Sequence, residues 1–281
     1  GSYIALRRAM KLTSKDVPII NVDIGCYGRV LKSRTGDLPE PEKIGIWNED
    51  SASQLYPSQL EDFPSKRHRS NVLYNLGDTC YVMGSSVSMA MGQIRAGYQD
   101  GQVLAIVGDS TFFHACIPAL VDAVWNQTKL TLLVLDNRWT AMTGQQPSPV
   151  TGLNRQGETS SSISIESLAK SIGAGLVEVT DAFDMEMTIK TIKKALDYEG
   201  VSVVVSQGEC KLQELRRVDI EIPLRVDENS CTGCTICLQL GCPGITFEDR
   251  IAGIDPLQCV NCGLCIQLCP EGAISEEIFD E

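Results

Sequence analysis

The chain has 281 residues, 43% of them hydrophobic, enough to bury one large core or two smaller ones. Its 36 acidic residues outnumber 24 basic ones, and a net charge of −12 excludes the basic face that nucleic acid binding needs. No apolar run is long enough to span a membrane, and Gly1-Ser2-Tyr3 begins neither with methionine nor with an export signal, so Gly1 reads as a truncated or processed start.

Residues 1–218 read as helices alternating with strands. A helix over Tyr3–Lys11 leads to a strand at Ile19–Val22. Beyond a long interruption come a helix over Ser85–Tyr98, a strand at Val103–Val107, a helix over Phe112–Asn126 and a strand at Leu130–Leu135. A helix over Ile165–Ser171, a strand at Leu176–Val179, a helix over Asp184–Tyr198 and a strand at Val201–Val205 complete the series. The strands are near-continuous apolar runs, as expected where both faces are buried, and their alternation with helices predicts an α/β, doubly wound parallel sheet.

The interruption, near 31–77, is rich in Pro, Ser, Asp and Lys and holds Lys66-Arg67-His68-Arg69. A structureless loop of that length is expected only where it is functional or makes contacts, and the basic run itself reads as solvated. Charge marks a boundary near 218. From Asp219 onward 12 acids face 2 bases, which leaves 24 acids and 22 bases in the preceding residues. The predicted domains are therefore 1–218 and 219–281.

Two strand ends carry the first candidate site. Val103–Val107 runs into Gly108-Asp109-Ser110-Thr111 and a helix, and Leu130–Leu135 runs into Asp136-Asn137-Arg138-Trp139, with 25 residues between Ser110 and Asp136. In doubly wound sheets ligands sit at the carboxyl ends of strands, where helix amides attract phosphate. Adjacent ends can offer the Asp109 carboxylate and the Asn137 amide oxygen to one hard cation such as Mg²⁺, which keeps phosphate oxygens in its shell. A Gly-Asp turn after a strand is also common without any ligand.

Eight of the twelve cysteines fall in the second region, as Cys231, Cys234, Cys237, Cys242-Pro243 and Cys259, Cys262, Cys265, Cys269-Pro270. This is the spacing of a ferredoxin with two [4Fe–4S] clusters, in which the fourth cysteine of each run ligates the other cluster. The expected sets are Cys231, Cys234, Cys237 and Cys269, and Cys259, Cys262, Cys265 and Cys242. Zinc sites usually show paired C-x2-C units instead, and a disulfide framework is the other alternative. The first run has four residues before its last cysteine where the simplest pattern has three. Reduced thiols for cluster binding point to the cytoplasm.

Gly-Asp-Ser followed after 25 residues by Asp-Asn is similar to the thiamine diphosphate motif, with Ser110 and Asp136 departing from the usual Gly and Asn. The resemblance implies Mg²⁺ held by Asp109 and Asn137 side chains and by the Trp139 carbonyl. It also sets Gly84 and Ser85 against the cofactor, although Gly84-Ser85-Ser86 with Ala90 and Gly92 equally reads as close helix packing. Together with Asp23-Ile24-Gly25-Cys26-Tyr27, Gly108-Asp109-Ser110-Thr111-Phe112-Phe113-His114 and Cys231-Thr232-Gly233-Cys234, the chain resembles the C-terminal half of the large subunit of indolepyruvate:ferredoxin oxidoreductases. Family members share the four-residue gap before Cys242 but are much shorter over 31–77, a difference that bears on substrate identity.

The resemblance implies thiamine-dependent oxidative decarboxylation of a 2-oxo acid, with coenzyme A taking the acyl group and two clusters passing electrons to ferredoxin. It also implies a pyrimidine-binding domain, carrying a glutamate, on another chain or segment. Cys26 and His114 are candidates to line the pocket, His114 to orient a carboxylate or shuttle a proton. A capping or packing role for His114 and a buried structural role for Cys26 are the alternatives. Thr143-Gly144 resembles a family turn near the cofactor. Cys80, Cys116 and Cys210 lack metal spacing. Competing functions are an electron-transfer module on a degenerate α/β scaffold, and a non-redox thiamine decarboxylase that would leave the cluster cysteines superfluous.

Overall fold

The computed structural model describes residues 2–13, 19–23, 77–98, 102–217 and 224–276. Cys26, the basic run at 66–69 and the segment 31–77 up to residue 76 lie outside the described residues. In chain order the strands of the first region are β1 (Ile19–Val22), β2 (Thr79–Cys80), β3 (Val103–Gly108), β4 (Leu130–Asp136), β5 (Trp139–Thr140), β6 (Gln146–Pro147), β7 (Leu176–Asp181) and β8 (Val201–Gln207). Six of them form one parallel sheet in the order β2-β1-β3-β4-β8-β7. β5 and β6 make a separate small antiparallel ribbon.

Alternation along each strand builds two cores. Leu104 and Ile106 of β3 face the same way as Ile20, Leu133 and Val204, and meet helices α1 (Ser2–Leu12) and Met185–Asp197. Val103, Ala105 and Val107 face the other way, with Leu132, Val134 and Val203, against α2 (Ser85–Arg95), Ile117–Trp125 and Ile165–Ile172. Helices on both faces of a sheet whose strands are apolar on both sides is the doubly wound arrangement the sequence predicts. Asp184 and Ser164 start two of these helices by accepting from the amides of Met187 and Ser167.

Three local features depart from the sequence reading. The two-residue edge strand β2 is too short to carry a periodic pattern. α2 ends at Arg95 instead of Tyr98, because Gly97 adopts a left-handed conformation. The helix predicted over Phe112–Asn126 begins earlier, as α3 (Asp109–Thr111), and passes through a π turn at Phe112–Cys116 before α4 (Ile117–Trp125). The remaining helices of this region are α5 (Ile165–Ile172), α6 (Met185–Asp197) and α7 (Lys211–Glu214).

The second region is α+β. β9 (Leu224–Val226) pairs antiparallel with β12 (Ile274–Glu276), closing the unit at its two ends. β10 (Ile245–Glu248) and β11 (Ile251–Ile254) form a hairpin whose turn residues, Asp249 and Arg250, both have positive φ, as a two-residue type I′ turn requires. Helix α8 (Leu264–Leu268) docks this unit on the sheet domain. Leu264 and Leu268 enter the α1/α6 core, worth about 2 kcal/mol each. Gln267 fixes the register, accepting from the amide of Met185 at 2.9 Å and donating to the carbonyl of Phe183 at 2.7 Å. Among the described residues no helix is long and apolar enough to cross a membrane.

Candidate functional site

Strand register brings the first candidate residues together. Gly108 of β3 lies opposite Leu135 of β4, and Asp136 lies opposite Gln207 of β8, so Asp109 and Asp136 emerge side by side at the carboxyl edge. Both are only 2% exposed. Burial pushes the Asp109 carboxyl up to about 7; the Ser148 bond opposes that rise and the neighbouring Asp136 charge adds to it. Ser148 Oγ donates to Asp109 Oδ2 at 2.6 Å and sits 3.2 Å from the Arg138 carbonyl. Asp136 is raised by burial, with the Arg138 amide and guanidinium opposing; its Oδ1 accepts from that amide at 3.0 Å. Its Oδ2 makes no close hydrogen bond among the described residues.

Asn137 turns its amide oxygen to the Trp139 N–H at 3.1 Å, which leaves one lone pair on that oxygen for a cation. Two crowded, buried carboxylates with an amide oxygen beside them suit a hard divalent ion, whose charge offsets the cost of burying theirs. Ser110 Oγ meets Thr140 Oγ1 at 2.5 Å and so ties α3 to β5, while Thr111 is buried. Exposed Thr143 donates to Gln146 Oε1 at 2.6 Å and holds the turn before Gly144. Trp139 sends its indole N–H to Glu209 at 3.0 Å.

Gly84 and Ser86 serve a purpose that motif comparison does not reveal. Their amides donate to the two carboxylate oxygens of buried Asp23, at 2.8 and 2.7 Å, so this side chain caps α2. Gly84 has φ +85°, and a Cβ there would lie 2.2 Å from the Cβ of Ala115 in the π turn. The α2 turn therefore abuts the helix that starts at Asp109. His114, next to Ala115, is exposed on the π turn, a helix irregularity frequent at functional sites. Gly84→Ala should destabilise the fold by about 2–4 kcal/mol, from left-handed strain plus the clash. Adding Ala115→Gly should recover the clash portion alone, as thermal denaturation of the single and double variants will read.

The raised Asp109 carboxyl sets a pH dependence. A cation needs the ionised form, so binding must expel a proton below pH 7. Divalent-cation affinity at this rim should be level above about pH 8 and fall toward about tenfold per unit below pH 6, as calorimetric titration with Mg²⁺ will read.

In the second region the structure brings the candidate cysteines together in two groups. Cys231, Cys234, Cys237 and Cys269 line one cavity with Phe247, Ala252 and Ile274. Cys237 is raised by burial and then by the charges of Cys234 and, more weakly, Cys269. Burial pushes Cys265 up to about 12, with the charges of Cys262, Cys242 and Cys259 adding to it. Among the described residues no three His, Cys, Asp or Glu close on the space of a single ion.

Both loops repeat one backbone form. Gly233 and Asn261 occupy equivalent positions with φ of 68° and 48°, and Thr235 and Gly263 likewise with 64° and 69°. The unequal gaps also have a local cause. Cys265 reaches Cys269 through one turn of α8, whereas Cys237 reaches Cys242 through a 3₁₀ turn and left-handed Gly241. Amides of Asn261 and Ala273 point at the sulfurs of Cys259 and Cys269, at 3.4 and 3.3 Å.

Residues 55–206, over half of the chain, match the family described as thiamine pyrophosphate enzyme, C-terminal TPP binding domain. The chain belongs to this family. The match begins inside the segment set apart near 31–77. A 4Fe–4S binding domain matches residues 252–275, which hold the second cysteine run. Among the curated proteins similar to this chain are several called indolepyruvate oxidoreductase subunit IorA. That of Pyrococcus horikoshii is 43% identical over 218 residues, covering 71% of this chain and 34% of the relative. That of Methanothermobacter marburgensis is 43% identical over 205 residues, covering 73% and 32%. The chain thus spans about a third of the length of the curated relatives it matches. A solved structure, 2-oxoglutarate:ferredoxin oxidoreductase from Magnetococcus marinus with 2-oxoglutarate, coenzyme A and succinyl-CoA bound, shares the fold at TM-score 0.50 and 16% identity, covering 74% of this chain and 62% of that one.

Sequence reasoning missed Ser148, Glu209 and the capping role of Asp23. Ser148 carries one signal, its place between Pro147 and Pro149, which stiffen the segment laid over Asp109. Glu209 carries none.

Proposed function

We propose that the chain is the thiamine diphosphate- and cluster-binding portion of a 2-oxo-acid:ferredoxin oxidoreductase. The observation that carries this reading is the pairing, in one polypeptide, of Asp109 and Asn137 on adjacent strand ends with a docked unit of eight cluster-spaced cysteines. Asp109, Asn137 and the Trp139 carbonyl hold Mg²⁺. Gly84, Ser85, Gly108, Ser110, Thr111 and Thr143 form the surrounding cradle for the diphosphate cofactor, Cys26 is a further candidate to bind it, and His114 is the candidate to orient a carboxylate or move a proton. Bound thiamine diphosphate supplies an electron sink that lets a 2-oxo acid lose carbon dioxide.

Cys231, Cys234, Cys237 and Cys269 take one [4Fe–4S] cluster, and Cys259, Cys262, Cys265 and Cys242 the other. Leu264, Leu268 and Gln267 keep the cluster unit against the sheet domain. The names of the relatives support an aryl 2-oxo acid such as indolepyruvate, with coenzyme A as acyl acceptor and ferredoxin as external oxidant. A separate subunit or segment supplies the pyrimidine-binding half, in a hetero-oligomer without membrane or nucleic acid contacts and located in the cytoplasm. The domain boundary falls near 218, where acidity rises and the connector to β9 begins.

A scaffold used only for electron transfer would have no need of two crowded, buried carboxylates at one rim, which is what Asp109 and Asp136 present. Anaerobic assays with Mg²⁺, thiamine diphosphate, coenzyme A and ferredoxin test the reading. The complex with its partner should turn over an aryl 2-oxo acid, and this chain by itself should not. Turnover by the isolated chain, or a complex that accepts no 2-oxo acid, contradicts it.

A further inference from the structure

We propose that Glu209 is a positioning residue for the metal-binding turn, acting through the Trp139 indole and braced by Arg217. The inference rests on the reading that Asn137 and the Trp139 carbonyl hold the cation. The turn 136–139 is held only partly from within, by the Arg138 N–H on Asp136 Oδ1 and the Trp139 N–H on Asn137 Oδ1. Arg138 adopts φ 66°, a left-handed conformation that a side chain disfavours, so neighbouring groups must fix it. The segment after β8 does so at three points. The Gly208 amide donates to the Asp136 carbonyl at 2.9 Å, and the Cys210 amide donates to the Asn137 carbonyl at 3.1 Å. Between them, Glu209 Oε1 accepts the Trp139 indole N–H at 3.0 Å.

Arg217 donates to that same oxygen. It lies three residues beyond helix α7 (Lys211–Glu214). Backbone bonds fix Asp136 and Asn137, but neither reaches Trp139. The Trp139 main chain is held by its N–H bond to Asn137 Oδ1 and by the β5–β6 pairing, and the indole bond to Glu209 adds a side-chain tether from this segment. A carboxylate is suited to the task because it can accept from the indole and the guanidinium together.

The test uses the complex with its partner subunit, with Mn²⁺ in place of Mg²⁺ and thiamine diphosphate added, and reads bound Mn²⁺ by its magnetic resonance. Glu209→Ala should weaken Mn²⁺ binding about 10–100-fold. Glu209→Gln, which keeps an acceptor for the indole, should bind within about twofold of the unaltered protein. Trp139→Phe should match Glu209→Ala, and combining the two should add nothing further. The cluster resonance signals should be unchanged throughout. Asp109→Asn is measured alongside. If it binds Mn²⁺ normally, the metal-site reading itself fails. If it abolishes binding while Glu209→Ala binds normally, or if Glu209→Gln falls as far as Glu209→Ala, the positioning role is overturned.

Discussion

Asp109→Asn should abolish cofactor binding and, without the metal, make the protein more stable. The substitution keeps the side chain's shape and an oxygen to accept from Ser148, and removes only the charge. The folded protein raises this carboxyl from the ordinary carboxylate range to about 7, so it binds the proton more tightly than the unfolded chain does. Stability from this group is then lost as pH rises from about 4 to about 7, and the full cost, on the order of 4 kcal/mol, is present above that window. In metal-free samples at pH 8 the Asn variant should therefore melt higher than the unaltered protein, and near pH 4 the two should converge. Affinity for Mg²⁺ with thiamine diphosphate should fall by at least about 100-fold, because a neutral amide replaces the charged ligand. The iron content should not change. A variant that binds normally, or melts lower at pH 8, would contradict the role given to Asp109.

Loss of a single cysteine should have an effect of similar size at the other end of the molecule. Cys265→Ala should remove one cluster, halving the iron, and should loosen the interface between the two regions. The second effect follows from position, because Cys265 sits on α8 between Leu264, which enters the sheet-domain core, and Gln267, which holds Phe183 and Met185. Cluster binding is then part of the folding energy of that helix. Cofactor binding at the Asp109 rim should persist. Cross-ligation adds a sharper expectation. Cys269→Ser should damage the same cluster as Cys234→Ser, and Cys242→Ser the same cluster as Cys262→Ser, as resonance spectra of reduced samples can tell. Pairing of Cys269 with Cys262 instead would overturn the ligand sets.

The sheet was legible because its central strands are uninterrupted apolar runs, such as Val103–Val107, flanked by turn residues. The edge strand Thr79–Cys80 was not, since two residues carry no period. The π turn escaped notice because Phe112–Cys116 has an ordinary helical composition, and one extra residue per turn leaves no trace in residue type. Asp109, Asn137 and the cysteines stood out as candidates because their spacing forms a recognisable pattern. The residues that hold them did not. Ser148 lies 39 positions from Asp109, and Glu209 lies 70 from Trp139. Such partners are joined by the fold and by no local pattern. Asp23 shows the middle case: its motif could be read from sequence, but its work as the cap of α2 depends on Gly84 and Ser86, more than sixty positions away.

A single anaerobic turnover, with no external acceptor present, tests the coupling of rim and clusters most directly. The complex is mixed with thiamine diphosphate, Mg²⁺, coenzyme A and an aryl 2-oxo acid, and the visible absorbance of the iron–sulfur centres is followed. The absorbance should bleach only when both the acid and thiamine diphosphate are present, and the Asp109→Asn variant, with its clusters intact, should show no bleaching. Bleaching that persists in that variant, or that needs no thiamine diphosphate, would show that electrons enter the clusters by a route that bypasses the two strand ends.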